Sequence, residues 1–379
     1  MSWRLRQSMR RSSGEWKDCR RHNLAATLRR ANDLVCFLSG ENDPLETESQ
    51  GMQYRQLGKT EIRVSEIGFG AWALGGQWGG QDDRESVAAL HKALDCGINL
   101  IDTAEGYGEG RSERVIAEAL RTRTAKVFVA TKTPPGEGPW PPSPYCDHRD
   151  RYSSAYLRRN VEQRLKNLGV DCIDLLQLHT WTSAWNHDPQ PLIELQKLRE
   201  EGKIRWIGIS TPEQDQSCVV DLMRAGLVDT IQVIYNIFEQ QPAAQILPVA
   251  AQTGTGVIVR CVFDEGVLTG KYAADHQFPE SDFRHRYFMG DRMARSVKRV
   301  EAIEREVRQL GRDTRDSMAD VAALFALHHP AVSTVITGIR TVSQAEKNAA
   351  VSGKAPLSKE IMKRLQNHLW LRGVWYGGK

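Results

Sequence analysis

The chain has 379 residues, enough for one large core, and its 51 Lys and Arg against 47 Asp and Glu leave a formal charge of only +4. That balance is too even to argue for a nucleic acid as partner, and no apolar run approaches the roughly 20 residues of a membrane span. The seven cysteines (Cys19, Cys36, Cys96, Cys146, Cys172, Cys218 and Cys261) are odd in number and form no CxxC pair, which argues against a disulfide framework or a metal cluster and for reduced thiols in a cytoplasmic protein.

Residues 1–51 stand apart. Residues 1–40 carry nine Lys and Arg against three acids, and 41–51 then add four acids and no base. With little periodic apolar content, the segment is expected to be a basic, disordered extension. A transit peptide would be Arg- and Ser-rich and acid-poor, which the first forty residues meet only in part. The preferred reading places the biological start at Met52, where the folded pattern begins. The run Leu34-Val35-Cys36-Phe37-Leu38 is too short for a secretory signal.

Residues 54–64 read as a hairpin turning at Gly58-Lys59-Thr60, a lid over the closed end of the domain. From Ile67 onward strands and helices alternate, which predicts a parallel sheet covered by helices. Strand one is 67–70, with Trp72 just past its end. The helix 83–95 is capped at Asp82-Asp83, lines up Val87, Leu90 and Leu94, and stops at Gly97. Strand two ends in Asp102, and Gly106, Gly108 and Gly110 open the loop that carries Tyr107. A helix from Arg111-Ser112-Glu113 leads to strand three, Val127-Phe128-Val129-Ala130-Thr131, which runs into Lys132. Six prolines between Pro134 and Pro144 exclude helix or central strand, so this rim loop is expected to be a lid or specificity element. The helix 154–168 precedes strand four, Ile173 to Leu178, which runs into His179.

Three consecutive strands thus bring an acid, an ammonium and an imidazole to one rim, with a phenol on the first loop. An unpaired buried carboxylate is costly, so Asp102 needs a cation, and Lys132 is the candidate. An ammonium held beside a phenol stabilises the phenolate, which suits Tyr107 to proton transfer, while His179 can orient a carbonyl oxygen. Trp72, Trp140, Trp181 and Trp185 all fall on rim loops and suggest an aromatic wall for a hydrophobic or aromatic carbonyl substrate, with two of the four expected to face it.

The remaining elements complete the count. A helix at 191–201, strand five at 204–210, strand six at 229–235 and strand seven at 257–262 lead into a long excursion over 272–316. The helix 318–328, strand eight at 335–336, a helix from Ser343 and a last helix at 358–371 follow, and Trp375-Tyr376 forms a tail placed to cap the rim. Eight strand–helix pairs without a low-complexity linker predict a single (β/α)8 TIM barrel over residues 52–379. No GxGxxG follows a strand, so a doubly wound dinucleotide fold is unsupported. Barrels instead bind phosphate near strands seven and eight. There Gly338 allows close backbone approach, Arg340 offers a fork of donors, and Gln344 and Asn348 share a helix face at i, i+4 spacing.

Asp102-Thr103-Ala104-x-x-Tyr107, Ala130-Thr131-Lys132 and Leu176-Gln177-Leu178-His179 together resemble the catalytic tetrad of the aldo-keto reductase superfamily. The bacterial-type members are most similar, through Gly68-Phe69-Gly70-Ala71-Trp72 and the run from Phe263 to Lys271. The resemblance implies NADPH-dependent reduction of an aldehyde or ketone, with Tyr107 as general acid, Lys132 and Asp102 tuning it, and His179 aligning the carbonyl. It further implies that Arg340 and Gln344 meet the adenosine 2′-phosphate, Asn348 the adenine, and Ser210 and Gln232 the nicotinamide carboxamide. Arg260 would flank the nicotinamide ring, and Gly266, Leu268 and Lys271 would cover the pyrophosphate. Three positions depart from the pattern: Thr211 replaces a common asparagine, Thr337 a common proline, and Arg260 an aromatic of other branches. An NADP-sensing regulatory barrel with little turnover is the alternative.

Overall fold

The computed structural model describes residues 51–311 and 317–370. The expectations for residues 1–50 and for the Trp375-Tyr376 tail lie outside the described residues. Eight parallel strands close into a barrel: β3 (Ile67–Gly70), β4 (Leu100–Asp102), β5 (Phe128–Thr133), β6 (Ile173–Leu178), β7 (Ile204–Ser210), β8 (Thr230–Ile234), β9 (Gly256–Arg260) and β10 (Val332–Gly338), which pairs back onto β3. β1 (Tyr54–Gln56) and β2 (Arg63–Ser65) form the expected antiparallel hairpin.

Alternation along the strands sets what lies inside. Leu100, Phe128, Ala130, Leu175, Ile258 and Ile336 fill the barrel interior, and Leu57, Ile62 and Val64 of the hairpin join that cluster, so the hairpin plugs one end. The plug is close-fitting at Gly58: a Cβ there would lie 2.2 Å from the Gly256 backbone nitrogen, in a turn with φ of 56°. The opposite face of each strand packs under the outer helices. The helix Asp83–Asp95 forms where its apolar spacing and cap predict, with Asp82 accepting from the Arg84 and Glu85 amides. The helix Ser154–Leu168 begins at a Ser153 cap and ends at Gly169.

Register carries the chemistry to one rim. Asp102 pairs with Gly70 and Ala130, Lys132 with Gln177, Ser210 with Gln232, and Ile234 with Arg260. The last helix ends at Gln366, short of the expected 371, and other elements differ from expectation too. Strand three continues through Lys132 to Thr133, so the lysine lies within the ladder. Strand eight is longer than 335–336, because its small polar residues stay in the barrel by bonding the first barrel strand and its entry: Thr334 donates to the Glu66 carbonyl and Thr337 to that of Gly68. The excursion after residue 272 contains the helix Arg292–Gln309, which buries Met293, Val297, Val300, Ile303 and Val307.

Candidate active site

Asp102 and Lys132 are buried, 1 % and 0 % exposed. The Lys132 Nζ donates to Asp102 Oδ1 at 2.5 Å, to the Thr103 carbonyl at 2.9 Å and to Tyr107 Oη at 3.3 Å. Each N–H of the ammonium therefore has one acceptor, which fixes it in place. The second Asp102 oxygen accepts from Gln232 Nε2 at 2.7 Å and Gln177 Nε2 at 3.2 Å, so the buried carboxylate is fully engaged. Burial pushes Lys132 down from its ordinary value, and the Asp102 charge opposes that push.

Tyr107 reaches this pair because its loop turns tightly. Gly108 sits at φ of 66°, and a Cβ there would lie 2.4 Å from the Gly75 carbonyl oxygen. The phenol ring lies 6.0 Å from the His179 ring, at 76°. Burial, then Lys132, then Arg260 hold His179 well below the usual imidazole value, so it is neutral at neutral pH and carries one N–H donor.

These groups open into a cleft of about 1030 Å³. Of the four rim tryptophans, Trp72 and Trp140 line it. Trp72 stacks on Tyr107 at 5.9 Å, and Trp140 packs edge-on to His179 at 5.2 Å. Trp181 and Trp185 do not line the cleft. They are buried, pack edge-on to each other at 5.2 Å, and donate to Asn186 Oδ1 and the Cys146 carbonyl. Sequence reasoning missed Trp78, which lines the cleft, and Phe283, which backs the wall without lining it, 4.5 Å from Trp72 and 5.0 Å from Trp78. The Gly-rich stretch around Trp78 was the available signal for the first; nothing local marks the second.

Ser210, Gln232, Arg260, Gly266, Lys271, Gly338, Arg340, Gln344 and Asn348 also line the cleft, extending it from the tetrad to the β10 end. Leu268 does not; it is fully buried beneath the loop. The lining fits a nicotinamide dinucleotide on its own chemistry. Gln232 Oε1 is buried without a protein partner beside the tetrad, an acceptor suited to a carboxamide NH₂. A Cβ on Gly338 would meet nothing within 4 Å, so the cleft is open there. Arg260 is paired with Glu213 at 3.1 Å and donates to the Thr211 carbonyl at 3.0 Å. Glu265, on the loop before Gly266, was not foreseen; burial, with Asp264 adding to it, pushes its carboxyl up to about 7. Among the described residues no group of His, Cys, Asp and Glu is placed to hold a metal ion.

The family model for the aldo/keto reductase family matches residues 66–369. The chain belongs to the aldo/keto reductase family. It is similar to aldo-keto reductase YhdN of Bacillus subtilis (strain 168), 32 % identical, with 80 % of this chain and 89 % of that protein covered. It is also similar to the NADH-specific methylglyoxal reductase of Escherichia coli (strain K12), 27 % identical over 82 % of this chain and 98 % of that one. Among solved structures, the glycerol dehydrogenase AKR11B4 from Gluconobacter oxydans is 32 % identical, covers 83 % of this chain and 94 % of its own, and superposes with a TM-score of 0.68. These relatives are oxidoreductases by name, and the shared fold is the (β/α)8 barrel.

Proposed function

We propose that this reductase converts an uncharged aldehyde or ketone to the alcohol with NADPH, using Tyr107 as the proton donor. The observation that carries the reading is the buried chain Asp102–Lys132–Tyr107, which surfaces in an aromatic cleft beside a neutral His179. NADPH, when bound, supplies the hydride. The residues that would hold it are Ser210 and Gln232 at the carboxamide, Arg260 at the ring, Gly266 and Lys271 at the pyrophosphate, and Arg340, Gln344 and Asn348 at the adenosine end.

The rest is the work of the chain. The His179 N–H aligns the carbonyl oxygen toward Tyr107 Oη. Tyr107 gives that oxygen its proton, and the Lys132 ammonium, held by Asp102 and Thr103, stabilises the phenolate left behind. Trp72, Trp78 and Trp140 wall the site, and Trp72 is steadied by Gln77, whose amide bonds back to the Gly106 carbonyl at 2.9 Å. Near the tetrad the lining guanidinium groups are already paired, Arg260 with Glu213 and Arg284 with Asp282. That favours an apolar or aromatic carbonyl over a phosphorylated or carboxylated one. Cys96, Cys146, Cys218 and Cys261 are free thiols, in keeping with the cytoplasmic location we propose.

The test is multiple turnover with a panel of aromatic, aliphatic and phosphorylated carbonyls and both nicotinamide cofactors. Sustained NADPH oxidation with aromatic aldehydes is expected, and Tyr107→Phe should lower kcat by roughly 10²–10⁴-fold. Wild-type-like turnover in that variant sinks the assignment, and a single turnover without recycling favours a cofactor-sensing role.

A further inference from the structure

Behind the barrel wall lies a buried polar network that the chemistry above does not use. Lys132 points inward, so its neighbours Thr131 and Thr133 point outward under the helices. Thr131 Oγ1 donates to Glu113 Oε1 at 2.6 Å. The other Glu113 oxygen accepts from Arg164 Nε and Asn167 Nδ2, each at 2.8 Å. Arg164 Nη1 donates to Asn160 Oδ1 at 3.0 Å, and the same oxygen accepts from Thr133 Oγ1 at 2.8 Å. The bonds thus run from one side of Lys132 to the other. The same helix turn reaches the neighbouring strand's end: Ser112 accepts from Thr103 Oγ1 at 2.8 Å and donates to the Ala71 carbonyl at 3.0 Å. Thr103 is the residue whose carbonyl accepts from the Lys132 ammonium.

Stability alone is a poor reason for this arrangement. Glu113 and Arg164 are 0 % and 1 % exposed, and taking both charges out of water costs about what their attraction returns. Apolar residues of the same volume would fill the space as well. They could not hold two hydroxyls of one strand at fixed points.

We propose that Glu113, with Arg164 and Asn160, is a positioning unit that sets the placement of the Lys132 ammonium between Asp102, Thr103 and Tyr107 by gripping Thr131 and Thr133 from outside the barrel. The inference rests on the proposed role of Lys132, but its geometric content is independent of turnover. The unit touches neither substrate nor cofactor.

Two variants test it. Thr131→Val/Thr133→Val removes the grips and keeps side-chain shape, and Glu113→Leu/Arg164→Met replaces the charged pair with apolar volume. In each, kcat should fall about 10- to 100-fold, the scale of a reacting group misplaced by about 1 Å, with NADPH affinity unchanged. Ionisation of Tyr107, followed by ultraviolet difference spectroscopy against a Tyr107→Phe background, should move up by about one pH unit as the ammonium retreats. Thr131→Ser/Thr133→Ser, which keeps both hydroxyls, should restore kcat and the titration. If both apolar variants titrate and turn over like the wild type, whatever their melting temperatures, the proposal is overturned. Should the wild type reduce no carbonyl while the titration still moves, the positioning unit stands and the reductase reading falls.

Discussion

Three of the five N–H groups of the Arg340 guanidinium have acceptors within the chain: Gln81 Oε1 at 2.8 Å and the carbonyls of Trp78 at 2.9 Å and Gly80 at 2.8 Å. On the proposed reading the other two would meet the 2′-phosphate, and charge-assisted bonds of that kind are the strong ones. Arg340→Ala is therefore expected to cost roughly 1.5–3 kcal/mol of NADPH affinity. The loss in NADH affinity, which reports only the slackened loop at Trp78 to Gln81, should stay below about 1 kcal/mol. Fluorescence titration of both cofactors decides it, and equal losses would leave Arg340 a loop tie only. Glu265 gives a second residue-scale expectation. Its carboxyl is pushed up from 4.5 to about 7, so the folded state holds a proton that the unfolded state releases. Its contribution to stability is complete below about 4.5 and is lost as pH rises toward 7. Glu265→Gln should flatten the melting-temperature profile across that window, and an unchanged slope would show that the carboxyl titrates normally.

At the scale of elements, the proline-rich loop after β5 is held from below by one buried arginine. Arg151 Nε donates to the Gly136 carbonyl at 2.9 Å and Nη1 to that of Pro139 at 3.0 Å, while the Gly136 amide donates to the Arg151 carbonyl at 2.7 Å. This fixes Trp140 over His179 although the ring is 43 % exposed. Trp140→Ala should raise KM for aromatic carbonyls about tenfold, an aromatic contact of ~1–2 kcal/mol, and leave cofactor affinity unchanged. An equal effect on small aliphatic carbonyls would show that the ring only shields the site. The direction of such rings is what sequence could not supply. Strand ends are legible, because an apolar run that stops at Asp102 or His179 marks both burial and rim. A tryptophan on a rim loop is not, since Trp181 turns inward to an asparagine only five residues away. The helix Arg292–Gln309 was lost for a different reason: Arg292, Arg295, Lys298 and Arg299 make its first half read as solvated chain, although Met293, Val297, Val300, Ile303 and Val307 keep helical spacing.

For the molecule as a whole, the question is where the chain becomes necessary to the barrel. The first contacts that close the plugged end come from a few consecutive residues. The Gln53 amide donates to Ser352 Oγ at 2.7 Å, Tyr54 Oη to the Gly97 carbonyl at 2.8 Å, and Arg55 bridges to Glu66 at 3.0 Å and to the carbonyls of Leu327 and Val332. Met52 packs against the core beside them. The hairpin then buries Leu57, Ile62 and Val64 in the barrel interior, a burial worth roughly 1.5–3 kcal/mol for each side chain. We propose that the folding unit starts at Met52 and that residues 1–51 add nothing to it. A chain shortened to begin at Met52 should match the full chain in melting temperature and kcat. Removing the hairpin as well, by starting at Glu66, should abolish the cooperative transition, since the loss exceeds a large part of the ~5–15 kcal/mol that typically holds a fold together. A drop of several degrees on removing residues 1–51 alone would show instead that the basic segment docks on the barrel, and the start would then have to be placed upstream.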